Sequence, residues 1–364
     1  MNTAQKTRLI KFSQGCQIDE KLWFFANGYN ALCYLNQEDF SITFATGIPS
    51  EETVNGALYR NIEVYDNKLV LIPFNAREIA IYDLLNGNIT KIPLKENADV
   101  SQKFNASIII NDCIYMIPRK YPALVELNMI TYEVTYHTEW MKKIQPNEWG
   151  FFFGRYIVRT ERGVVAVSRS ANVVMEFDVM RGCSLSYSYL DKESDYICIA
   201  KKDNTYLLVD GGNYEIVIKK NLRDDGGTVI KFLDKSEEKH IIHFLVVSNK
   251  LVYLVPKETN KITCVDVDRE EVFTVQGSND SGSYDYVWLY QNKLHAFNAK
   301  HMVVDVYDED GTLVQKTIIH ISNSTICEIY LNHIKEQRMV YEGLFGIDEL
   351  ILHIEGNIVK NGKG

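Results

Sequence analysis

One short turn recurs seven times along the chain, and that recurrence constrains the fold more than any other feature. Each turn is followed by an apolar run: "DEKLWFFA" at Leu22, "DNKLVLIP" at Leu69, "NDCIYMIP" at Ile114 and "ERGVVAVS" at Val164. "DNTYLLVD" at Tyr206, "SNKLVYLV" at Leu251 and "QNKLHAFN" at Leu294 continue the series. The successive spacings are 47, 45, 50, 42, 45 and 43 residues. Seven copies at so constant a period mark a repeat architecture rather than a chain of unrelated hairpins.

Each copy resolves into four short runs of Val, Ile, Leu, Tyr and Phe bounded by Gly, Asn and Asp, the pattern of strands and tight turns. In the second copy the predicted strands are Arg60–Tyr65, Leu69–Phe74, Ile79–Asp83 and Ile89–Leu94. Asn86-Gly87 and Asp310-Gly311 predict two-residue hairpins in which both central residues take positive φ. The third strand tends to end in Asp or Asn, at Asn36, Asp83, Asn128, Asp178, Asp266 and Asp308. Such side chains accept hydrogen bonds from the N–H groups of the turn that follows. Four strands per unit predict an all-β, seven-bladed β-propeller over residues 7–321, with six blades and an irregular unit as the alternative. Blades packed radially cover sheet faces that one blade alone leaves bare.

The fifth copy, "TYLLVDGGNYEIVIKKN", carries Gly211-Gly212 at the end of its second strand, and "EIAIYDLLNGNITKIPL" and "VVDVYDEDGTLVQKTI" supply third and fourth strands. In these features the blades resemble kelch-type propellers. The resemblance implies a propeller fold, and it says little about activity. Only one copy has the diglycine, and the usual fourth-strand Trp is missing.

Beyond residue 321 the pattern changes. Thr325 and Glu328 stand at capping-box spacing, and Ile326, Ile329, Tyr330 and Ile334 fall on one helical face. Residues 322–364 are expected to form a helix of about 14 residues and a tail packed on the propeller. "RLIKFS" near the N-terminus is expected to help close the ring.

Composition narrows the function classes. The formal net charge is −9, which argues against nonspecific nucleic-acid binding. Seven cysteines lie far apart, without a C-x-x-C pair, which suits free thiols in a reducing, cytoplasmic compartment. No signal-peptide core and no membrane-length apolar run is present. No nucleotide-binding loop, nucleophile elbow or zinc-protease motif occurs, so no cofactor is indicated. His240 and His243 in "HIIH" point to opposite faces of a strand and do not share a metal.

Charge is distributed unevenly over the loops. In a propeller the loops joining second to third strands share a face with the blade-to-blade connections. Five of the seven inner loops hold basic residues: Arg77, Arg119 with Lys120, Arg169, Lys257 and Lys300. A ring of positive charge in an acidic protein predicts an anion-binding face. Tyr121 and His301 share these loops, and the connections add Tyr59, Arg60, Trp149, Arg155 and Tyr284. Arginines beside aromatic rings suit saccharide or peptide ligands. In "WGFFFGR" at least one ring is expected at the channel mouth. The expected activity is noncatalytic binding of an anionic small molecule, a saccharide or a partner protein. The alternative is a propeller hydrolase or lyase for an acidic or sugar-derived substrate, with Tyr121, His301 and Tyr284 as proton-transfer candidates.

Overall fold

A computed structural model describes residues 10–335 except 13, 52–55, 96–98, 182–183, 191–195, 224–226, 233–241, 257–258 and 278–282. Seven antiparallel sheets follow one another along the chain. Blade 1 starts with Gly15–Ile18, and blades 2 to 7 start with Tyr59–Tyr65, Phe104–Ile110, Phe153–Arg159, Tyr196–Lys202, Ile242–Val247 and Tyr286–Tyr290. From blade 1 to blade 7, each of these first strands contacts the next in turn. The Tyr286 hydroxyl donates to the Gly15 carbonyl at 3.2 Å and joins blade 7 to blade 1. The first strands are therefore the inner wall of a seven-bladed propeller around a central channel.

Burial follows this radial order. The second strands Gly163–Ser168 and Leu251–Pro256 are buried along their whole length, whereas the outer strand Leu313–Ile318 is mostly exposed. Second strands are covered on both faces by neighbouring blades, so they read as continuous apolar runs. The strands of blade 2 are Tyr59–Tyr65, Lys68–Pro73, Glu78–Asp83 and Ile89–Pro93, within one residue of the expected bounds.

The third-strand Asp and Asn residues head their turns as anticipated. Asp83 Oδ1 accepts from the backbone N–H of Leu85 and Asn86, and Asp308 Oδ1 from those of Asp310 and Thr312. Asn36, Asn128, Asp178 and Asp266 do the same. The hairpins are not two-residue turns, however. After Asp83 the chain makes a loop closed by Asp83 N–H to Asn88 O, and Gly87 has positive φ while Asn86 does not. The carboxylate head supplies the turn bonds and lets the loop widen. The corresponding left-handed residues elsewhere are Phe40, Tyr132 and Glu270, so glycine is not required there.

Blade 1 consists of N-terminal strands, and the two-residue strand His320–Ile321 pairs in parallel outside its fourth strand, Ser41–Thr46. The segment around Ile10 and Phe12 does not extend a blade. It wedges between blades 7 and 1, with Phe12 stacked on Phe24 at 4.0 Å and on Phe297 at 4.8 Å. The Lys11 ammonium meets Asp285 at 2.7 Å on the same seam.

The C-terminal helix is Asn323–Lys335 and packs on the fourth strand of blade 1 through buried Ile326 and Ile329. Its cap is Ser322, not Thr325: Ser322 Oγ accepts from the Thr325 N–H at 3.1 Å, and its carbonyl from the Ile326 N–H. The Ser hydroxyl one residue before the helix takes the N–H of Thr325 itself, so the cap stands three residues earlier than expected. Residues 336–364, Lys257 and His240 lie outside the described residues. Among the described residues, six cysteines are free and no helix is long and apolar enough to cross a membrane.

Candidate functional site at the channel mouth

A belt of backbone hydrogen bonds fixes the loop ends of blades 2 to 4. Phe74 N–H donates to Leu58 O, Lys103 N–H to Phe74 O, and Arg119 N–H to Lys103 O. Phe152 N–H then donates to Arg119 O, and Arg169 N–H to Phe152 O. The belt places Phe74, Arg119 and Arg169 at one equivalent position, the residue immediately after the second strand.

The first strands reach the same end of the channel through β-bulges. Pairing with the second strand skips Arg60 in blade 2, Asn105 in blade 3, Ile197 in blade 5 and His243 in blade 6. In blade 4 it skips residues 154–156, with Arg155 at the centre. A bulge re-aims the extra residue away from the ladder. Arg155 shows the reach: its Nη1 donates to the His243 carbonyl of blade 6 at 2.6 Å, past blade 5.

Four guanidinium groups therefore converge from three blades. Burial, followed by the positive fields of Arg155 and Arg119, pushes Arg60 well below its usual pKa. Burial, followed by Arg155 and Arg169, lowers Arg119 to about 10. Like charges disfavour one another most where water is scarce. All four side chains nonetheless keep a partly exposed surface.

Aromatic rings hold these groups. The Phe74 ring lies under Arg60 at 4.8 Å and Arg119 at 5.8 Å, the Phe151 ring under Arg119 at 4.0 Å, and the Phe244 ring under Arg155 at 4.4 Å. Cation–π contact compensates part of the desolvation of each cation. Arg119 Nη1 also reaches Asn105 Oδ1 at 3.4 Å, and Arg169 Nη1 the Tyr196 carbonyl at 3.3 Å. Among the described residues, no carboxylate is in ion-pair contact with Arg60 or Arg119, and the Nε of each has no hydrogen-bond partner.

The other anticipated residues are dispersed. Arg77 is exposed and paired with Asp99 at 3.0 Å. Lys120 lies beside the mouth, its Nζ 5.2 Å from the centre of the Phe151 ring. Lys300 and His301 are exposed on the blade 7 loop. Trp149 is exposed, Phe152 and Phe153 pack on buried Trp140, and Phe151 alone of the "WGFFFGR" rings holds a mouth arginine.

Three tyrosines expected at the face are blade core. Tyr59 is buried against Phe25 with its hydroxyl toward Glu51 at 3.4 Å. Tyr121 is buried beside Phe104 and donates to the Lys95 carbonyl at 2.6 Å. Tyr284 donates to Asp305 at 2.7 Å and lies 2.8 Å from the Tyr307 hydroxyl. Burial, then Tyr307 and Asp305, raises its pKa far above the usual phenol value. Each ring fills an inter-blade gap, and its polar tip is bonded inside the protein.

Sequence reasoning missed Phe74, Asn105, Phe244 and the His243 carbonyl. A bulge leaves no clear mark in the hydrophobic alternation, so no signal flagged them. Among the described residues, no group of three or more His, Cys, Asp or Glu side chains could hold a metal ion.

No family model and no curated protein sequence matches the chain. Solved structures do. Virginiamycin B lyase from Staphylococcus aureus, in an inactive form with quinupristin, aligns with 15% identity over 71% of this chain and 83% of that one, at a TM-score of 0.54. BamB from Moraxella catarrhalis aligns with 10% identity over 80% and 83%, at 0.56. Hsv2 from Kluyveromyces lactis aligns with 10% identity over 83% and 96%, at 0.53. At these identities the likeness concerns the fold. The dihydro-heme d1 dehydrogenase NirN shares it too, aligning with 9% identity over 85% of this chain and 66% of that one, at 0.59.

Proposed function

We propose that the protein is a ligand-binding propeller whose channel mouth receives an anionic ligand or the anionic group of a partner. One observation carries this reading: Arg60, Arg119, Arg155 and Arg169 converge on the channel, and no described carboxylate pairs with Arg60 or Arg119. Like charges repel most where water is scarce, and burial together with the neighbouring guanidinium groups lowers the pKa of both Arg60 and Arg119. A fold that retains such repulsion at a cleft is suited to an external counter-charge. The net charge of −9 leaves this mouth as a local exception on an acidic molecule. Lys120, beside the Phe151 ring, would extend the positive field around it.

The test is a thermal-shift screen against acidic sugars, phosphorylated metabolites, acidic peptides and divalent metals. A ligand bound only by the folded state raises Tm by mass action. The reading expects an anionic class to raise Tm, less so at high salt, and the Arg60→Ala/Arg119→Ala variant to lose the effect. A flat response to every anion would count against it. The kelch-type affinity of the blades rests on Gly211-Gly212 and the strand pattern alone. The six cysteines among the described residues are free, which suits a reducing compartment such as the cytoplasm.

A further inference from the structure

We infer that the group entering the mouth is a phosphoryl or pyrophosphoryl group of a small molecule, inserted end-on between Arg60 and Arg119. The inference rests on the anion-site reading above and specifies its ligand.

The aromatic rings give the first argument. Phe74, Phe151 and Phe244 already lie against guanidinium groups. These contacts occupy the rings, so they are not a bare platform for a sugar or a base. A guanidinium with one face on a ring keeps its N–H edges for oxygen acceptors. Arg60 and Arg119 share the Phe74 ring, and each has an Nε donor without a partner.

Charge and shape give the second. A single carboxylate offers one charge and two coplanar oxygens, which match the fork of one arginine. Here the guanidiniums come from blades 2, 3 and 4, and thus from different directions. A tetrahedral phosphoryl group carries up to two charges and three oxygens that diverge, so separate arginines can grip it at once. A pyrophosphoryl group extends this to a third arginine.

Depth gives the third. Arg60 and Arg155 sit on bulges of the inner strands, while Lys300 and His301 lie exposed on a loop. A slim terminal group reaches a recessed arginine such as Arg60 more readily than the surface of a folded partner does. Asn105 and the His243 carbonyl fix Arg119 and Arg155 beforehand, which lowers the ordering cost of binding.

The experiment is calorimetric titration of the full chain in chloride buffer with inorganic pyrophosphate, orthophosphate and citrate. Expected is one pyrophosphate site, at least tenfold tighter than citrate, with affinity falling as salt rises. Arg60→Gln and Arg119→Gln are each expected to weaken pyrophosphate binding at least tenfold, with unfolding midpoints at or above that of the parent. Arg60→Lys, which keeps the charge but not the fork, is expected to fall between the two. Citrate binding as tight as pyrophosphate would overturn the phosphoryl assignment and leave the anion site standing. Pyrophosphate affinity unchanged in both glutamine variants would overturn it as well. Absence of binding by all three anions would remove the inference, and acidic peptides in the thermal screen would then decide the broader reading.

Discussion

The channel mouth at blades 2 to 4 and the seam between blades 7 and 1 use the same loop position in opposite ways. At the mouth, the residue after the second strand is Phe74, Arg119 or Arg169, and charge gathers there. At the seam it is Ala26 in blade 1 and Ala299 in blade 7, and both pack in one apolar cluster with Phe12. Small side chains leave room for the N-terminal wedge, and large cationic ones fill the corresponding space at the mouth. One region turns the position into ring closure and the other into a field. Uniform repeats can thus carry non-uniform function, because each blade needs only its faces conserved in character to pack.

Breaking the seam has the largest expected effect. Phe12→Ala removes a fully buried ring stacked on two others, and about 3–5 kcal/mol of stability should be lost. Urea unfolding measures this, and pyrophosphate affinity of the folded fraction should stay the same. A loss below about 1 kcal/mol would mean that the wedge does not close the ring.

Acid should loosen the same seam next. His295 stacks on Trp288 at 5.3 Å and near Phe40 at 6.2 Å, and burial lowers its pKa to about 4. The unfolded chain takes up that proton near pH 6.5, whereas the folded one resists it until about pH 4. Stability is therefore complete above about pH 6.5 and declines as pH falls toward 4, by on the order of 3 kcal/mol. The difference in unfolding free energy between parent and His295→Gln should change over that window. A constant difference would exclude this histidine as the source.

Smaller effects sharpen the contrast. Ser322→Ala deletes the cap of the helix beside blade 1 and should cost about 1 kcal/mol, read from the denaturation midpoint. Arg60→Ala at the mouth should leave stability unchanged or raise it by up to about 1 kcal/mol, because a repelled charge disappears. Destabilisation beyond about 2 kcal/mol would show that the mouth arginines hold the fold, and the comparison with the seam would fail.

Much of the architecture was legible in the sequence. The strands of blade 2 fall within a residue of their expected bounds because each blade is a run of local antiparallel hairpins. Their turns are written in the chain as Asp83, Asn128 or Asp308. Ser322 displaced Thr325 as the cap because two hydroxyls three residues apart look alike until a helix axis selects one. Tyr59, Tyr121 and Tyr284 stand in loop-like contexts, and only the packed neighbour blade shows that they are enclosed.

The candidate site was half legible. Loop membership assigns Arg119, Arg169 and Arg77 to one face alike, yet Arg77 pairs with Asp99 instead. What separates them is the register within the loop: Arg119 and Arg169 directly follow their second strands, while Arg77 comes three residues after Phe74.

The sequence by itself determined the repeat, its strands, the heads of its turns and the supply of arginines near one face, since all of these depend on contacts between residues close along the chain. The count of seven blades over six was settled by the closed ring. Which arginines meet, which rings hold them and which tyrosines are sealed in the core was decided only by the closed ring. Bulges and the curvature of seven packed sheets bring together side chains from separate blades, and a pattern with a period of about 45 residues has no term for an angle around an axis.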